Sequence, residues 1–293
     1  MTLEELIRKW FMENESVAGM MASFAGGPAI FYQKSPDDNQ KGWENSIQYP
    51  KIVYTIDMQA NQERKSVGTL TASLLCDEAG VPPEEIEPMV KTSLRDLIIL
   101  PDGSFPYCFA WSRTDAFEIS SRENGSDTRV IGSEVCFDIL EYTSQETTDP
   151  DPVVALNQYI KKVLPEAFVL GEDRLEQFKV ADTKAPVFYC RLESVEKSRE
   201  TNTVAWMDGR IAVHALCPSA DIRLKWVMAL ANSLSLSGEV VMLDKSPMRI
   251  TRLQVNNKAD YLKDGQLMVT VHYGLLRYKS KPHMITEIKN NIV

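Results

Sequence analysis

Two stretches of the chain alternate apolar and polar residues in the same order, and the other elements are arranged around them. The first, Pro50–Cys76, reads PKIVYTID, then a polar run, then VGTLTASLLC. The second, Ala185–Cys217, reads APVFYCRL, then a longer polar run, then TVAWMDGRIAVHALC. Such alternation is typical of strands that bury one face. Each stretch therefore predicts two β-strands joined by a charged connection, Met58–Ser66 in the first and Glu193–Thr201 in the second.

Apolar residues spaced three and four apart predict four amphipathic helices. The first begins at Thr2, where a capping box with Glu5 is expected. The others begin at prolines or at a serine cap, and we expect the four helices at residues 2–12, 83–98, 152–163 and 219–234. Pro88 would kink the second helix or move its start. In the last helix the predicted apolar positions are Ile222, Leu224, Trp226, Val227, Leu230 and Ala231.

The remaining strands complete a repeated order. In the first part we expect them at Ala29–Gln33, Tyr107–Thr114, Ala116–Ser120 and Val130–Tyr142, with a hairpin turn at Glu123–Ser126. In the second part we expect them at Glu239–Leu243, Met248–Val255 and Leu267–Tyr278. Between the two parts lies Thr143–Asp151, a polar segment with an internal proline, and this composition predicts a linker.

Both halves thus read helix, strand, polar loop, strand, helix, strand, strand. Cys76 and Cys217 close the paired stretches at an offset of 141 residues, and Ser133 and Val269 begin similar final strands at an offset of 136 residues. A shared order at a nearly fixed offset indicates that one structural unit occurs twice. We predict a tandem duplication of one α+β domain, with copy 1 at residues 1–147 and copy 2 at residues 148–293.

Composition limits the function. The chain has 293 residues, 44% of them hydrophobic and 25% charged, which is ordinary for a globular protein of about two domains. Its net charge of −9 argues against a nucleic-acid-binding protein, which needs a basic face. No apolar run approaches a membrane span, and the acidic first residues argue against an export signal. We expect buried free thiols in a reducing compartment at Cys76, Cys108, Cys136, Cys190 and Cys217.

No motif predicts catalysis. The three histidines, His214, His272 and His283, have no nucleophile motif beside them and are not expected to act as bases. Gly26-Gly27-Pro28 matches no phosphate-binding loop and predicts a turn. Acidic residues cluster at a helix start and in the linker: Glu84, Glu85 and Glu87; Glu146, Asp149 and Asp151. We therefore expect no catalytic residue, no cofactor and no metal.

Two features leave alternatives open. Trp43, in the polar loop at residues 34–49, is either the anchor of a satellite core or an exposed contact for a partner. The charged connections Met58–Ser66 and Glu193–Thr201 carry Arg64-Lys65 and Lys197 with Arg199. Each connection either reaches a neighbouring subunit or is a solvated hairpin tip.

The order of motifs resembles a known family. A strand follows a proline (PKIVYTID, or APVFYCRL in the second copy), and a charged loop follows it. A second strand, TLTASLLCD or RIAVHALCP, leads into a helix, PEEIEPMVKTSLRDL or SADIRLKWVMALANSL. This order is similar to that of the tail-terminator (tail-completion) proteins of tailed phages and related tail-derived particles. The resemblance covers roughly residues 1–142 and 151–278, and the duplication departs from typical single-domain members.

The resemblance implies an α+β domain whose antiparallel sheet is flanked by helices. It implies a homo-oligomeric ring, usually six-fold, that sits on the last ring of tail tube protein, stops tube polymerisation and provides the docking face for the head or neck. Sheath and connector proteins are further implied partners, and DNA would pass through the lumen without specific binding. The chain would reside in the host cytoplasm during assembly, then in a virion tail or a tail-derived bacteriocin. We favour six chains per ring, with three chains of pseudo-six-fold symmetry as the alternative.

Other functional classes compete with this one. The chain is alternatively another head–tail connector or tube-like structural subunit. A carbohydrate- or peptide-binding module is a further class, with Trp43, Trp111 and Trp206 lining its groove. An enzyme with an unrecognised site is the last.

Overall fold

The computed structural model describes most of the chain, namely residues 1–119, 129–143, 150–173, 177–179, 186–217 and 219–277. Three sequence predictions lie wholly or largely outside these residues: the hairpin turn at residues 123–126, most of the linker at residues 143–151, and His283.

The described residues form five α-helices and fifteen strands. The helices are α1 (Leu3–Glu13), α2 (Glu15–Ala18), α3 (Pro83–Leu94), α4 (Pro152–Val163) and α5 (Ala220–Ser237). The strands of the first half are β1 (Ser23–Phe24), β2 (Gly27–Pro28), β3 (Ile30–Tyr32), β4 (Lys51–Asp57), β5 (Gly68–Asp77), β6 (Leu97–Ile99), β7 (Tyr107–Ile119) and β8 (Val130–Glu141). Those of the second half are β9 (Phe168–Val169), β10 (Gln177–Lys179), β11 (Val187–Glu200), β12 (Val204–Leu216), β13 (Glu239–Val241), β14 (Pro247–Val255) and β15 (Leu267–Leu276).

Two large sheets share one order of strands. The first runs β6-β7-β8-β5-β4-β3, with β10 added beside β6, and the second runs β13-β14-β15-β12-β11-β9. Each strand of one series occupies the place of its counterpart in the other. The α+β class and the layout of two sheets are therefore confirmed. The domain bounds at residues 147 and 148 stay a prediction, which this shared order supports.

Both sheets are mixed rather than antiparallel throughout. β3 runs parallel to β4, and β9 runs parallel to β11, while the other neighbouring strands are antiparallel. The parallel strand lies at one edge of each sheet. Its two or three residues carry no readable period, so the sequence pattern did not predict its direction.

The strand registers do not decide between the two predicted repeat offsets. Cys76 lies opposite Ile131 in the first sheet, and Val213 lies opposite Leu267 in the second. Ile131 and Leu267 are 136 residues apart, the offset of the final strands. This pair places Cys76 in the position of Val213. The pairs Lys51–Leu75 and Val187–Leu216, which follow Pro50 and Pro186, instead place Cys76 in the position of Cys217, so that correspondence stays a prediction. Both Cys76 and Val213 point into the cores beneath the helices.

Each sheet packs its helices on one face, which we call the helix face. The capping box that begins α1 is present, since Thr2 accepts from the Glu5 amide and Glu5 accepts from the Thr2 amide. Under α1, α2 and α3 lies a core that includes Phe11, Tyr54 and Phe137, and under α4 and α5 lies another that includes Phe188. Burial of these side chains is the main stabilising term.

The opposite faces, which we call the outer faces, meet over part of their area. There a third apolar cluster joins the halves, with Tyr142 and Tyr189 at its centre, 4.8 Å apart between ring centroids. Strand β10 of the second half also pairs with β6 of the first. The halves are therefore joined by side-chain packing and by backbone hydrogen bonds.

Three predicted elements differ from the structure. The helix expected at residues 83–98 ends at Leu94, because Asp96 adopts a positive φ of 60° and a strand, β6, begins at Leu97. The two strands expected at residues 107–114 and 116–120 are one strand, β7, interrupted by a bulge after Trp111. Pro88 lies within α3 and does not end it.

Candidate interaction surfaces

The described histidines are held in structural contacts. His214 lies between the halves, 1% exposed, with Nδ1 3.1 Å from the carbonyl oxygen of Tyr261. Burial lowers its pKa to about 4, so the ring is neutral near pH 7. His272 instead lies with Nδ1 2.5 Å from the Asp208 carboxylate, and this hydrogen bond lowers the pKa of Asp208. Each ring thus has a role in the fold.

A planar stack lies on the outer face of the second sheet. The Trp206 and His272 rings are nearly parallel, at 3° with their centroids 5.1 Å apart. The Arg199 guanidinium lies 5.2 Å from the Trp206 centroid. Gly274, opposite Trp206, leaves room for the indole, since a Cβ there would lie 2.8 Å from Val204 and 3.4 Å from the indole ring. The stack therefore joins side chains of three neighbouring strands, β11, β12 and β15.

Beside this stack lies an arginine-rich surface. Thr270 on β15 is flanked by Arg210 on β12 and by Arg252 on β14. In the next row, His272 is flanked by Asp208 and by Arg249. Residues directly opposite in neighbouring strands project to the same face. We call Arg199, Arg210, Arg249 and Arg252 the arginine face.

A bulge in β14 places two of these arginines together. Residues three apart in a regular strand project to opposite faces. The register shifts by one residue between Ile250 and Arg252, so that Arg249 and Arg252 both follow the face of β15 that carries His272 and Thr270.

The arginine face has few counter-charges. Arg210, Arg249 and Arg252 are exposed, and among the described residues none of the three has an ion-pair or hydrogen-bond partner. Two acids lie in its register, namely Asp208, which is bound to His272, and Glu239 on β13, which lies directly opposite Arg249. In the row of Thr270, by contrast, Arg210 and Arg252 have no acid opposite them among the described residues. This row therefore presents positive charge on a protein whose net charge is −9.

A second surface is apolar. Leu236, at the end of α5, is 89% exposed, and Val241 on the following edge strand β13 is 63% exposed. Leu224 and Met228 on α5 are also exposed, as is Leu243, which follows β13. We call these five residues the α5–β13 surface. Val240 is buried in the core beneath the helices, so Val241 projects to the outer face, and the name covers the exposed apolar residues around this edge of the sheet.

The predicted apolar face of α5 is partly wrong. Ile222 and Leu224 were expected in the core but are exposed, whereas Val227, Leu230 and Ala231 are buried as predicted. Apolar residues occur all round this helix, so spacing alone did not separate the buried side from the exposed side.

The two charged connections differ from each other. Met58–Ser66 folds back onto the chain, where Arg64 lies 3.1 Å from Asp138 and Lys65 pairs with Asp264 of the second half. Glu193–Thr201 is not a loop, because β11 continues to Glu200 with both sides exposed. The first connection therefore reaches the other half of its own chain, and the second is a projecting strand.

The three tryptophans lie in three separate contacts. Trp43 packs against Phe24 at 4.9 Å between ring centroids and against Phe31 at 6.1 Å, which confirms the satellite-core alternative. Trp111 lies on β7, with the Lys91 ammonium 3.3 Å from its ring centroid. Trp206 belongs to the stack on the second sheet. They do not line one groove.

All five cysteines are free and buried, as predicted. Within the described ranges, no group of three or more His, Cys, Asp or Glu side chains is arranged to hold a metal ion. The helices in the described part of the chain are all too short or too polar to cross a membrane.

No protein-family model matches this chain, and a comparison with curated proteins found no match. The arginine face and the α5–β13 surface are the two surfaces that sequence patterns did not predict. A signal was present for each, namely the arginines of β14 and the unusual apolarity of α5.

Proposed function

We propose that this chain is a structural subunit of a phage tail or tail-derived particle, and that it forms the ring that ends the tail tube. The observation that carries the proposal is the shared strand order of the two sheets. A duplicated α+β domain is what the resemblance to tail-terminator proteins implies for this sequence. In each copy the sheet is mainly antiparallel and is flanked by helices on one face, in keeping with that family.

The character of the surfaces supports a structural role. The distinctive exposed features are a face rich in arginine and a group of apolar side chains around one sheet edge, and such features suit contacts between proteins. The projecting β11–β12 arm, with residues 193–200 exposed, adds a third extended feature. An assembly protein needs several independent contacts, and the two copies have diverged enough to supply different ones.

Ring closure follows from the physics of repeated contacts. A protein that uses two different patches to bind its own copies forms a closed ring or an open filament, according to the rotation between copies. A cap must close, so we propose a ring of six chains, with three chains as the alternative. The acidic balance of the chain would repel DNA phosphates in the lumen and let DNA pass.

We further propose that the α5–β13 surface contacts the tube end. Val241 lies on β13, an edge strand of the second sheet with one unpaired side. Exposed edges of this kind accept another strand unless they are protected.

The test adds the purified chain to the tail tube protein of the same particle while that protein polymerises. Negative-stain images then give tube lengths and the appearance of tube ends. We expect shorter tubes with a ring at one end, and a Val241→Glu/Leu243→Glu variant that no longer caps. A Lys245→Glu variant, changed at an exposed residue of the same region, is the matched control and should cap normally.

Light scattering gives the number of chains. A mass near six times 33.1 kDa supports six chains, and one near three times that value supports three. A chain that neither associates nor alters tube growth would show the proposed function to be wrong.

A further inference from the structure

The charge of the chain is divided unequally between its halves. Residues 1–147 contain 12 Lys and Arg against 24 Asp and Glu, a net charge of −12. Residues 148–293 contain 20 against 17, a net charge of +3. The total of −9 therefore conceals a strongly acidic first half and a weakly basic second half. A chain with such halves attracts copies of itself in a head-to-tail orientation.

The basic side of this asymmetry has a definite location. On the outer face of the second sheet, Arg210 and Arg252 stand on either side of Thr270, two strands apart, which separates their backbones by about 10 Å. Arg249 lies in the adjacent row, brought to the same face by the bulge in β14. None of these three is in an ion pair within the described residues, and Glu239 on β13 lies opposite Arg249 only. Like charges held close together cost stability, so a partner that neutralises Arg210 and Arg252 is favoured.

The acidic side also has a definite location. The helices of the first half carry seven glutamates, against three basic residues: Glu4, Glu5, Glu13, Glu15, Glu84, Glu85 and Glu87; Arg8, Lys9 and Lys91. α2 packs against both α1 and α3, so these residues belong to one layer. Glu15, Glu84 and Glu85 are exposed and have no ion-pair partner in the described part of the chain. We call this surface the acidic helix layer.

We infer that the arginine face of one copy binds the acidic helix layer of the next copy. The two surfaces belong to different halves and point away from different sheets, so the contact joins unlike patches. Repetition of such a contact generates a ring, whereas a contact between like patches would stop at a dimer. The inference rests on the proposed function for its setting, because it names the interface through which the proposed ring closes.

Carboxylates are the best match for this face. Arginine binds carboxylates through paired hydrogen bonds, and its fixed planar geometry makes such contacts specific. Binding of nucleic-acid bases usually uses a free aromatic surface. Here the Trp206 ring is stacked on His272 and lies beside Arg199, so it is already engaged within the chain.

The test reverses the charges on each side. The variant Arg249→Glu/Arg252→Glu changes the arginine face, and Glu84→Lys/Glu85→Lys changes the acidic helix layer. The Kd for self-association is measured by analytical ultracentrifugation at about 0.05 M and about 0.5 M NaCl, since salt screens such contacts. We expect each variant to associate at least about tenfold more weakly than the wild-type chain at low salt. Lys245→Glu/Lys258→Glu, at exposed positions of the same half, is the matched control and should associate normally.

Rescue distinguishes an interface from a folding defect. The chain that carries all four substitutions again presents opposite charges on its two surfaces, and we expect its association to return to near the wild-type value. A mixture of the two double variants should also associate, in alternating order. An alternating ring closes only with an even number of chains, so the mixture recovers the full mass for six chains but not for three.

Several results would overturn the inference. Unchanged association of either double variant would mean that the contact lies elsewhere, although the chain would still form a ring and could still cap tubes. The contact would also lie elsewhere if the fourfold variant had a normal circular dichroism spectrum but did not recover self-association. The arginine face would instead bind DNA if the wild-type chain remained monomeric at low salt but slowed duplex DNA in a gel-shift assay, and if Arg249→Glu/Arg252→Glu abolished that shift. Tube capping, measured separately, tests the proposed function in each case.

Discussion

Lys263 of the second half donates to Asp138 of the first, with Nζ 3.0 Å from Oδ2. Asp138 is only 3% exposed, and Arg64 contacts its other oxygen at 3.1 Å. A buried carboxylate must be paired to remain charged. This contact therefore links the two halves of the chain through one well-satisfied acid.

Removal of this acid should destabilise the protein. Asp138→Asn keeps the size of the side chain but removes its charge, so two cations lose their partner. We expect a loss of roughly 1.5–3 kcal/mol in the free energy of unfolding, measured by urea denaturation. Asp115→Asn is the matched control, because Asp115 and its partner Arg113 are both exposed and such pairs contribute about 0–1 kcal/mol. Equal losses in the two variants would contradict a linking role for Asp138.

A glycine in the first sheet is required by close packing. A Cβ on Gly132 would lie 2.3 Å from the backbone oxygen of Leu74 and 2.4 Å from the ring of Phe117, which is its partner on β7. Gly132→Ala should therefore lower the midpoint of thermal unfolding, since overpacking costs about 1–3 kcal/mol.

Gly80→Ala is the control for this substitution. Its Cβ would meet nothing closer than the Asp77 oxygen at 3.4 Å, so we expect little change or a slight gain in stability. If the two variants had the same midpoint of thermal unfolding, the close contacts around Gly132 would not determine which residue is tolerated there.

Much of the fold is predictable from local pattern. β4 occupies Lys51–Asp57, as its alternation predicts, and α4 begins at Pro152 after the Asp151 cap. The end of α3 was not predictable in this way. Leu97, Ile98 and Ile99 continue the apolar content of the helix, and only the positive φ of Asp96 separates them from it.

The candidate surfaces were less predictable, for a physical reason. The arginine face depends on which residues lie opposite each other on three strands, and register is a tertiary property. Arg249 and Arg252 are three residues apart, so a regular strand would separate them, and only the bulge places them together. Similarly, the exposed side of α5 depends on where the sheet lies, because its apolar residues surround the whole helix.

The buried cysteines should be unreactive in the folded protein. Burial raises the pKa of Cys76 to about 12 and raises the pKa of Cys108 and Cys190 as well. The thiolate is the reactive form, so little of it exists near neutral pH. We expect a thiol reagent at pH 8 to modify the native chain slowly and to modify all five cysteines in denaturant. Rapid reaction of a native thiol would mean that its burial is transient.

Stability should depend on pH through His214. The buried ring has a pKa of about 4 in the folded chain, against about 6.5 for an exposed histidine. Burial is the largest cause, and the nearby cations Arg191 and Lys65 lower the pKa further, while Asp264 raises it. Between these two pH values the unfolded chain binds more protons than the folded chain. Stability therefore rises with pH across this window and falls as pH drops from about 6.5 to about 4.

The variant His214→Gln isolates this effect from that of the carboxylates. It removes the titrating group but keeps a polar side chain near the Tyr261 carbonyl oxygen. From about 1.36 kcal/mol per pKa unit, the wild-type chain should lose up to roughly 3 kcal/mol more than the variant between pH 6.5 and pH 4. Urea denaturation at several pH values measures this difference directly. Parallel curves for the two proteins would mean that His214 becomes protonated without unfolding the interface between the halves, and that water reaches its ring in the folded state.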